Sequence, residues 1–316
     1  MLISGKLSQK IATITVAALI IGAPLALSGC SFGQSVEYEV YEEETAGVIE
    51  SICVNAEDTD VDIVFSDAAE KMTVEYPKKT VGDGHPLNEV GISLDGGRLC
   101  LEEKRTSRLF SLFELDARIT VTVPAGRHLN YELSVETGDV TLGDGVRANT
   151  LDVVTTTGDI TLGSVVVTES ITLAATTGDV LLSGSAAAEE ISVSVTTGDI
   201  NLNSDVIGNR LRIVGTTSDV TASGTVKVAL LSINGTTGDI FFDGVLDARV
   251  IEIDLTTGDV ELDLIGFRDW YSITAESTTG DSNINGGSGE RTVNIKSTTG
   301  DVRINLEGIE DTVNNM

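Results

Sequence analysis

The chain has 316 residues, 49 of them acidic and 20 basic, and a formal net charge of −29. A surface of that sign excludes nucleic acid as a partner and disfavours free adsorption to anionic lipid. With two histidines and three cysteines, and no His-Glu-x-x-His, Gly-x-Ser-x-Gly or phosphate-loop motif, the chain offers no catalytic residues, no cofactor site and no recognisable zinc spacing.

The chain opens on Lys6 and Lys10, then an apolar run from Ile11 to Ala26 whose 16 residues are short for a membrane span of about 20. Leu27-Ser28-Gly29-Cys30 follows. Together they resemble the signal and lipobox of bacterial lipoproteins, in which the cysteine is lipidated and becomes the first mature residue. An ordinary secretory signal is the alternative. Residues 1–29 are therefore expected to direct the chain out of the cytoplasm and to be removed, with Cys30 carrying a lipid that anchors the protein to the bacterial cell membrane. Their loss removes two lysines and no acid, deepening the net charge.

Residues 30–47 read as an acidic tether, with Glu37, Glu39, Glu42, Glu43 and Glu44 keeping it extended by repulsion. Residues 48–130 keep a β texture without a strict period, and are expected to form irregular coils that cap the open edge of the downstream repeats. Thr59-Asp60-Val61-Asp62-Ile63 echoes the phrase those repeats share, and Ile119-Thr-Val-Thr-Val-Pro124 is a strand ended by proline. Cys53 and Cys100 alternate with inward-looking apolar neighbours and so face outward. On adjacent coils they would lie within disulfide range, and free thiols are the other reading. The loop from Lys104 to Phe113 mixes basic and apolar residues and suits either a cap packed on the body or a contact with membrane or partner.

Residues 131–316 repeat one phrase, Thr-Thr-Gly-Asp followed by Val or Ile, with small variations. Its aspartates are Asp139, Asp159, Asp179, Asp199, Asp219, Asp239, Asp259, Asp281 and Asp301, spaced by 20 residues with one step of 22. Period-2 alternation flanks each corner, as in Ile171, Leu173 and Ala175 before it and Val180 and Leu182 after it. Two short strands and a polar return per repeat leave no room for a crossover helix. The expectation is an all-β, single-stranded parallel β-solenoid of about nine coils, right-handed by the general rule for parallel crossovers. Glycine at the corner supplies a positive φ.

Even repetition suits a structural role for the aspartates, each accepting a bond at its corner. The other reading is a column of calcium sites, which the single carboxylate per coil disfavours. The long step contains Gly266-Phe-Arg-Asp-Trp-Tyr271 and the only tryptophan. Phe267, Arg268, Trp270 and Tyr271 there could contact a sugar or peptide, or form a packed bulge.

The lipobox, the irregular acidic start and the Thr-Thr-Gly-Asp-Val coils over about 48–306 together resemble the bacterial β-strand-repeat family called domain of unknown function 4097. The resemblance implies an adhesin-like or envelope-stress-associated surface module, without catalytic residues, that binds an unidentified envelope or extracellular partner. The alternative is a polysaccharide-active enzyme on a β-helix, for which a singular cluster of Asp, Lys and Arg would be needed.

Overall fold

Alternation of apolar and polar residues is answered by strands throughout the described residues, 34–43, 46–81, 84–106 and 117–307, of this computed structural model. Their one helical element is a 3₁₀ turn at Arg268–Trp270. Cys30, the segment 1–29 and most of the Lys104–Phe113 loop lie outside the described residues.

The strands wind into a parallel β-solenoid, and one central coil shows why. From Ala186 the chain buries Ala186 and Ala188, turns at the exposed Glu189 and Glu190, buries Ile191, Val193 and Val195, turns at Thr197-Gly198-Asp199, and buries Ile200 and Leu202. Each coil thus has three inward faces. The return between repeats, read as polar from the sequence, is itself a β face: Val165, Ala186, Val206, Val226 and Leu246 stack in register along it. Small residues hid it, because Ala186-Ala-Ala188 shows no contrast between its inner and outer positions. Like stacks on like at the other faces, Val140, Ile160, Val180, Ile200, Val220 and Ile240 forming one interior column. Every member of that column is at most 2% exposed. Each such side chain contributes about 1.5–3 kcal/mol of burial, and only a neighbouring coil can supply the cover.

The N-terminal part is built from ten strands: β1 (Gln34–Glu42), β2 (Ser51–Ala56), β3 (Asp60–Ser66), β4 (Thr73–Val81), β5 (His85–Pro86), β6 (Asn88–Asp95), β7 (Arg98–Arg105), β8 (Arg118–Pro124), β9 (Asn130–Thr137) and β10 (Val140–Leu142). Two parallel rungs are added to the rod here. β2 and β3 pair with β9 and β10, and β7 and β8 pair outside β2 and β3. The echo at Thr59-Asp60 is therefore a true corner, with Val61 and Ile63 opposite Val140 and Leu142. Antiparallel strands β4 on β8, β1 on β4 and β6 on β7 extend the sheets beyond these rungs.

β1 corrects the expected tether. Residues 34–43 belong to the fold: the β1–β4 pairing sets Glu39 opposite Tyr76 and diagonal to Lys78, with which it forms an ion pair, and Glu43 is buried. Arg127 donates to Glu43 Oε2 at 2.7 Å, and the amides of Val48, Ile49 and Met72 donate to the same carboxylate. Repulsion among the glutamates is offset by partners distant in sequence.

Rung order departs from chain order at the C-terminal end as well. The strand Arg291–Thr299 lies between the coil ending at Thr257 and the strand Tyr271–Thr279, so the last rung in sequence is inserted before the one that precedes it.

Candidate functional site

The corner column is continuous over ten rungs, from Asp60 through the nine repeat aspartates. The amide N–H of each of the nine repeat aspartates donates to Oδ1 of the aspartate in the adjoining rung. Asp159 donates to Asp139 at 2.8 Å, Asp179 to Asp159 and Asp199 to Asp179 at 2.7 Å, and Asp219 to Asp199 at 3.1 Å. Asp239 donates to Asp219 and Asp259 to Asp239, both at 2.8 Å. At the ends, Asp139 donates to Asp60 at 2.9 Å, Asp301 to Asp259 at 2.7 Å and Asp281 to Asp301 at 3.0 Å. Neighbouring carboxylates about 4.8 Å apart repel by roughly 1 kcal/mol at the dielectric of water, and a charge-assisted bond to each but the terminal Asp281 offsets that cost. Among the described residues no three His, Cys, Asp or Glu side chains converge on a metal position.

The corner glycines of this column have φ between +132° and +147°. A Cβ on Gly198 would also stand 2.2 Å from the Gly178 carbonyl oxygen. Ser218, which replaces glycine in one coil, takes no positive φ and is buried. Its Cβ would lie 2.9 Å from a Cβ on Gly215, so the missing side chain at Gly215 makes its room.

A cleft of about 470 Å³ lies on the outside of the rod, lined by residues of four successive rungs from Ile207 to Arg291. Gly208 and Ala229 form its dent, and Lys227, Arg249 and Arg291 come to it from three rungs. Arg291 donates to Asp247 Oδ1 at 2.7 Å and lies 5.6 Å from the Trp270 ring centroid and 5.8 Å from that of Tyr271. Lys227 and Arg249 are exposed and have no acidic partner at ion-pair distance among the described residues. Beside the cleft, outward-facing Val166, Ala187, Ile207 and Lys227 stand in register on successive coils, with Val166 and Ile207 about half exposed.

The aromatic segment divides. Tyr271 is buried, its hydroxyl donating to the Ile265 carbonyl at 2.5 Å, and burial pushes its phenol above the usual range. Arg268 donates to the Tyr271 and Asn285 carbonyls and braces the turn. Phe267 and Trp270 remain exposed, packed edge to face at 5.6 Å. A ligand at this end can therefore reach Phe267 and Trp270, while Arg268 and Tyr271 hold the bulge. Cys53 and Cys100 stand opposite each other on β2 and β7, both as free thiols. They share the outward face, yet Cys53 is buried there because Arg98 crosses the pair to reach Glu132 at 2.6 Å.

The sequence matches the family model described as Toastrack, DUF4097, in two stretches, residues 49–209 and 188–314. The chain belongs to the Toastrack family. Solved structures with similarity to this Toastrack chain include a candidate adhesin from Bacteroides fragilis, 12% identical over 87% of this chain and 100% of that one, with a TM-score of 0.43. A candidate lipid-binding protein from Parabacteroides distasonis is 16% identical over 85% of this chain and 96% of its own, with a TM-score of 0.41. A candidate cell adhesion protein from Clostridium sporogenes is 14% identical over 87% and 100%, with a TM-score of 0.28. Among curated proteins none matches the chain.

Inspection of the Toastrack repeats one by one misses the cationic residues of the cleft, since Lys227, Arg249 and Arg291 are single residues in different repeats. Part of the set is legible from the corners, since Arg249 and Arg291 each stand ten residues before a corner aspartate, Asp259 and Asp301, and so fall on adjoining rungs.

Proposed function

We propose that this Toastrack protein is a non-catalytic envelope module, held at the cell membrane by a lipid on Cys30, that binds an envelope or extracellular partner through the cleft beside Trp270. The observation that carries the reading is local. On a chain of net charge −29, two cations without an acidic partner, Lys227 and Arg249, meet beside an exposed aromatic pair and an apolar strip. The partner's contacting group is accordingly anionic, since the net-acidic rod repels anions on average while two uncompensated cations share this one cleft. Glycoside hydrolysis needs two carboxyl groups facing each other across a bond. In the cleft Asp247 is tied to Arg291, which leaves Glu290 alone to serve.

Pull-down of envelope fractions, glycans included, on the mature chain tests the reading. Capture should be lost in the double variant Lys227→Glu, Arg249→Glu at unchanged melting temperature. Equal capture by that variant would remove the cleft from the account. Cys30→Ser should abolish lipid labelling and release the protein from the membrane fraction, and unchanged membrane extraction would show another anchor.

A further inference from the structure

The two thiols of the N-terminal rungs have a geometry that the binding role does not use. Cys53 on β2 and Cys100 on β7 are registered partners in adjacent parallel strands. Such neighbours stand about 4.8 Å apart, inside the Cα separation of about 4.4–6.8 Å that a disulfide spans. Registered residues of parallel strands project their Cβ atoms in the same direction, so the two sulfurs are presented side by side. The two thiols are close enough to act on each other's titration, and the Arg98 guanidinium lies near both on its way to Glu132. Asn55 Nδ2 lies 3.6 Å from Cys53 Sγ on the other side. Within this cage Cys100 is partly exposed and Cys53 is buried.

We propose that Cys53 and Cys100 are a redox pair that closes to an intramolecular disulfide outside the cytoplasm, clamping the outermost parallel rung to the rod. The oxidant is a disulfide of another molecule, acting by thiol–disulfide exchange. Cys100 gives up its proton to water, and its thiolate attacks one sulfur of that disulfide, releasing the other as a thiolate and leaving a mixed disulfide on Cys100. Cys53, losing its proton in turn, attacks the Cys100 sulfur and expels the second thiolate. Two protein thiols lose two electrons and two protons in all, and the oxidant is reduced to two thiols. The guanidinium of Arg98 stabilises the thiolate at each stage. Burial and the neighbouring Cys53 raise the Cys100 thiol above its usual value, so closure accelerates as pH rises.

The clamp acts where the rod most needs one. β7 pairs with β2 on its inner side and carries β6 on its outer side, joined through the turn Asp95-Gly96-Gly97-Arg98. Opening the β2–β7 pairing would release both outer strands together, and the bond crosses that line.

The test uses the full chain with Cys30→Ser, so that only two thiols remain, reduced and then exposed to oxidised glutathione. The expected product is lighter by two hydrogens, resists alkylation, and yields linked Cys53 and Cys100 peptides in a non-reducing digest. Hydrogen exchange in β6 and β7 should slow on oxidation, and Cys53→Ser should stall as a stable glutathione adduct on Cys100. Should Cys53→Ser fail to fold, Cys53→Ala serves the same purpose. Two alkylatable thiols after oxidation, a lasting glutathione adduct in the parent, or disulfide-linked dimers would each overturn the proposal.

Discussion

Replacing Gly198 by alanine drives one methyl group against the backbone of the adjoining coil in the corner column. Gly198 has φ +133°, and the new Cβ would lie 2.2 Å from the Gly178 carbonyl oxygen, 2.6 Å from its carbon and 2.9 Å from Asp179 Oδ1. The backbone term is about 1–3 kcal/mol for a side chain held in that φ region, and overpacking against a carbonyl that cannot rotate away adds about 1–3 kcal/mol. A cost of about 2–6 kcal/mol is expected. Asp199→Asn, one residue on, keeps an Oδ1 to accept the Asp219 amide, now 3.1 Å away. It also removes repulsion from Asp179 and Asp219, so its cost should stay within about 1 kcal/mol. Urea denaturation of both variants decides the matter, provided the slope is unchanged. If Asp199→Asn is the more damaging, the carboxylate column and not the glycine backbone carries the corner. The chain supplies its own control in Ser218 beside Gly215. Gly198→Ser should therefore cost less in a Val195→Gly background than the two single costs added together, since Val195 is the registered counterpart of Gly215.

Further outcomes are expected elsewhere. Glu43→Gln leaves Arg127 in a buried site without its counter-charge and should cost about 3–5 kcal/mol at neutral pH. Burial alone would raise the Glu43 carboxyl, but bonds from Arg127, Ile49 and Met72 hold it below its usual value. A depressed carboxylate adds stability above its unfolded pKa of about 4.3 and loses it as pH falls through the folded value, so urea midpoints of parent and variant should converge in acid. A gap that persists there would assign the effect to packing. Asn285→Ala removes the amide that accepts from the Ala275 N–H at 2.6 Å and donates to its carbonyl at 2.9 Å. Freeing that edge should cost about 1–3 kcal/mol and promote concentration-dependent association by light scattering, and a monodisperse variant of parental stability would show that the end is sealed otherwise. Millimolar calcium should leave the melting temperature unchanged, because each corner offers one carboxylate, engaged by an amide at all but Asp281, whereas the ion takes about six to eight oxygens. A rise that disappears in Asp199→Asn would point to metal in the column.

The sequence by itself determined the solenoid. A 20-residue period with alternation on both sides of a Gly-Asp corner admits a stacked coil and little else, because only stacking covers the apolar faces of so short a repeat. The same alternation placed Cys53 and Cys100 on the outer face, and the echo at Asp60 lay in plain view. Only the tertiary structure decided the order of the rungs. Parallel rungs with identical corners accept one another in the same register, so local residues cannot say that Asp60 adjoins Asp139 or that Asp301 sits between Asp259 and Asp281. The third inward face was illegible where alanine filled it, and the place of Glu43 depended on Arg127, 84 residues away. The cleft was hidden for the same reason: Lys227, Arg249 and Arg291 become neighbours only when their rungs stack, because the winding of the chain, and not its local pattern, sets which outward side chains meet.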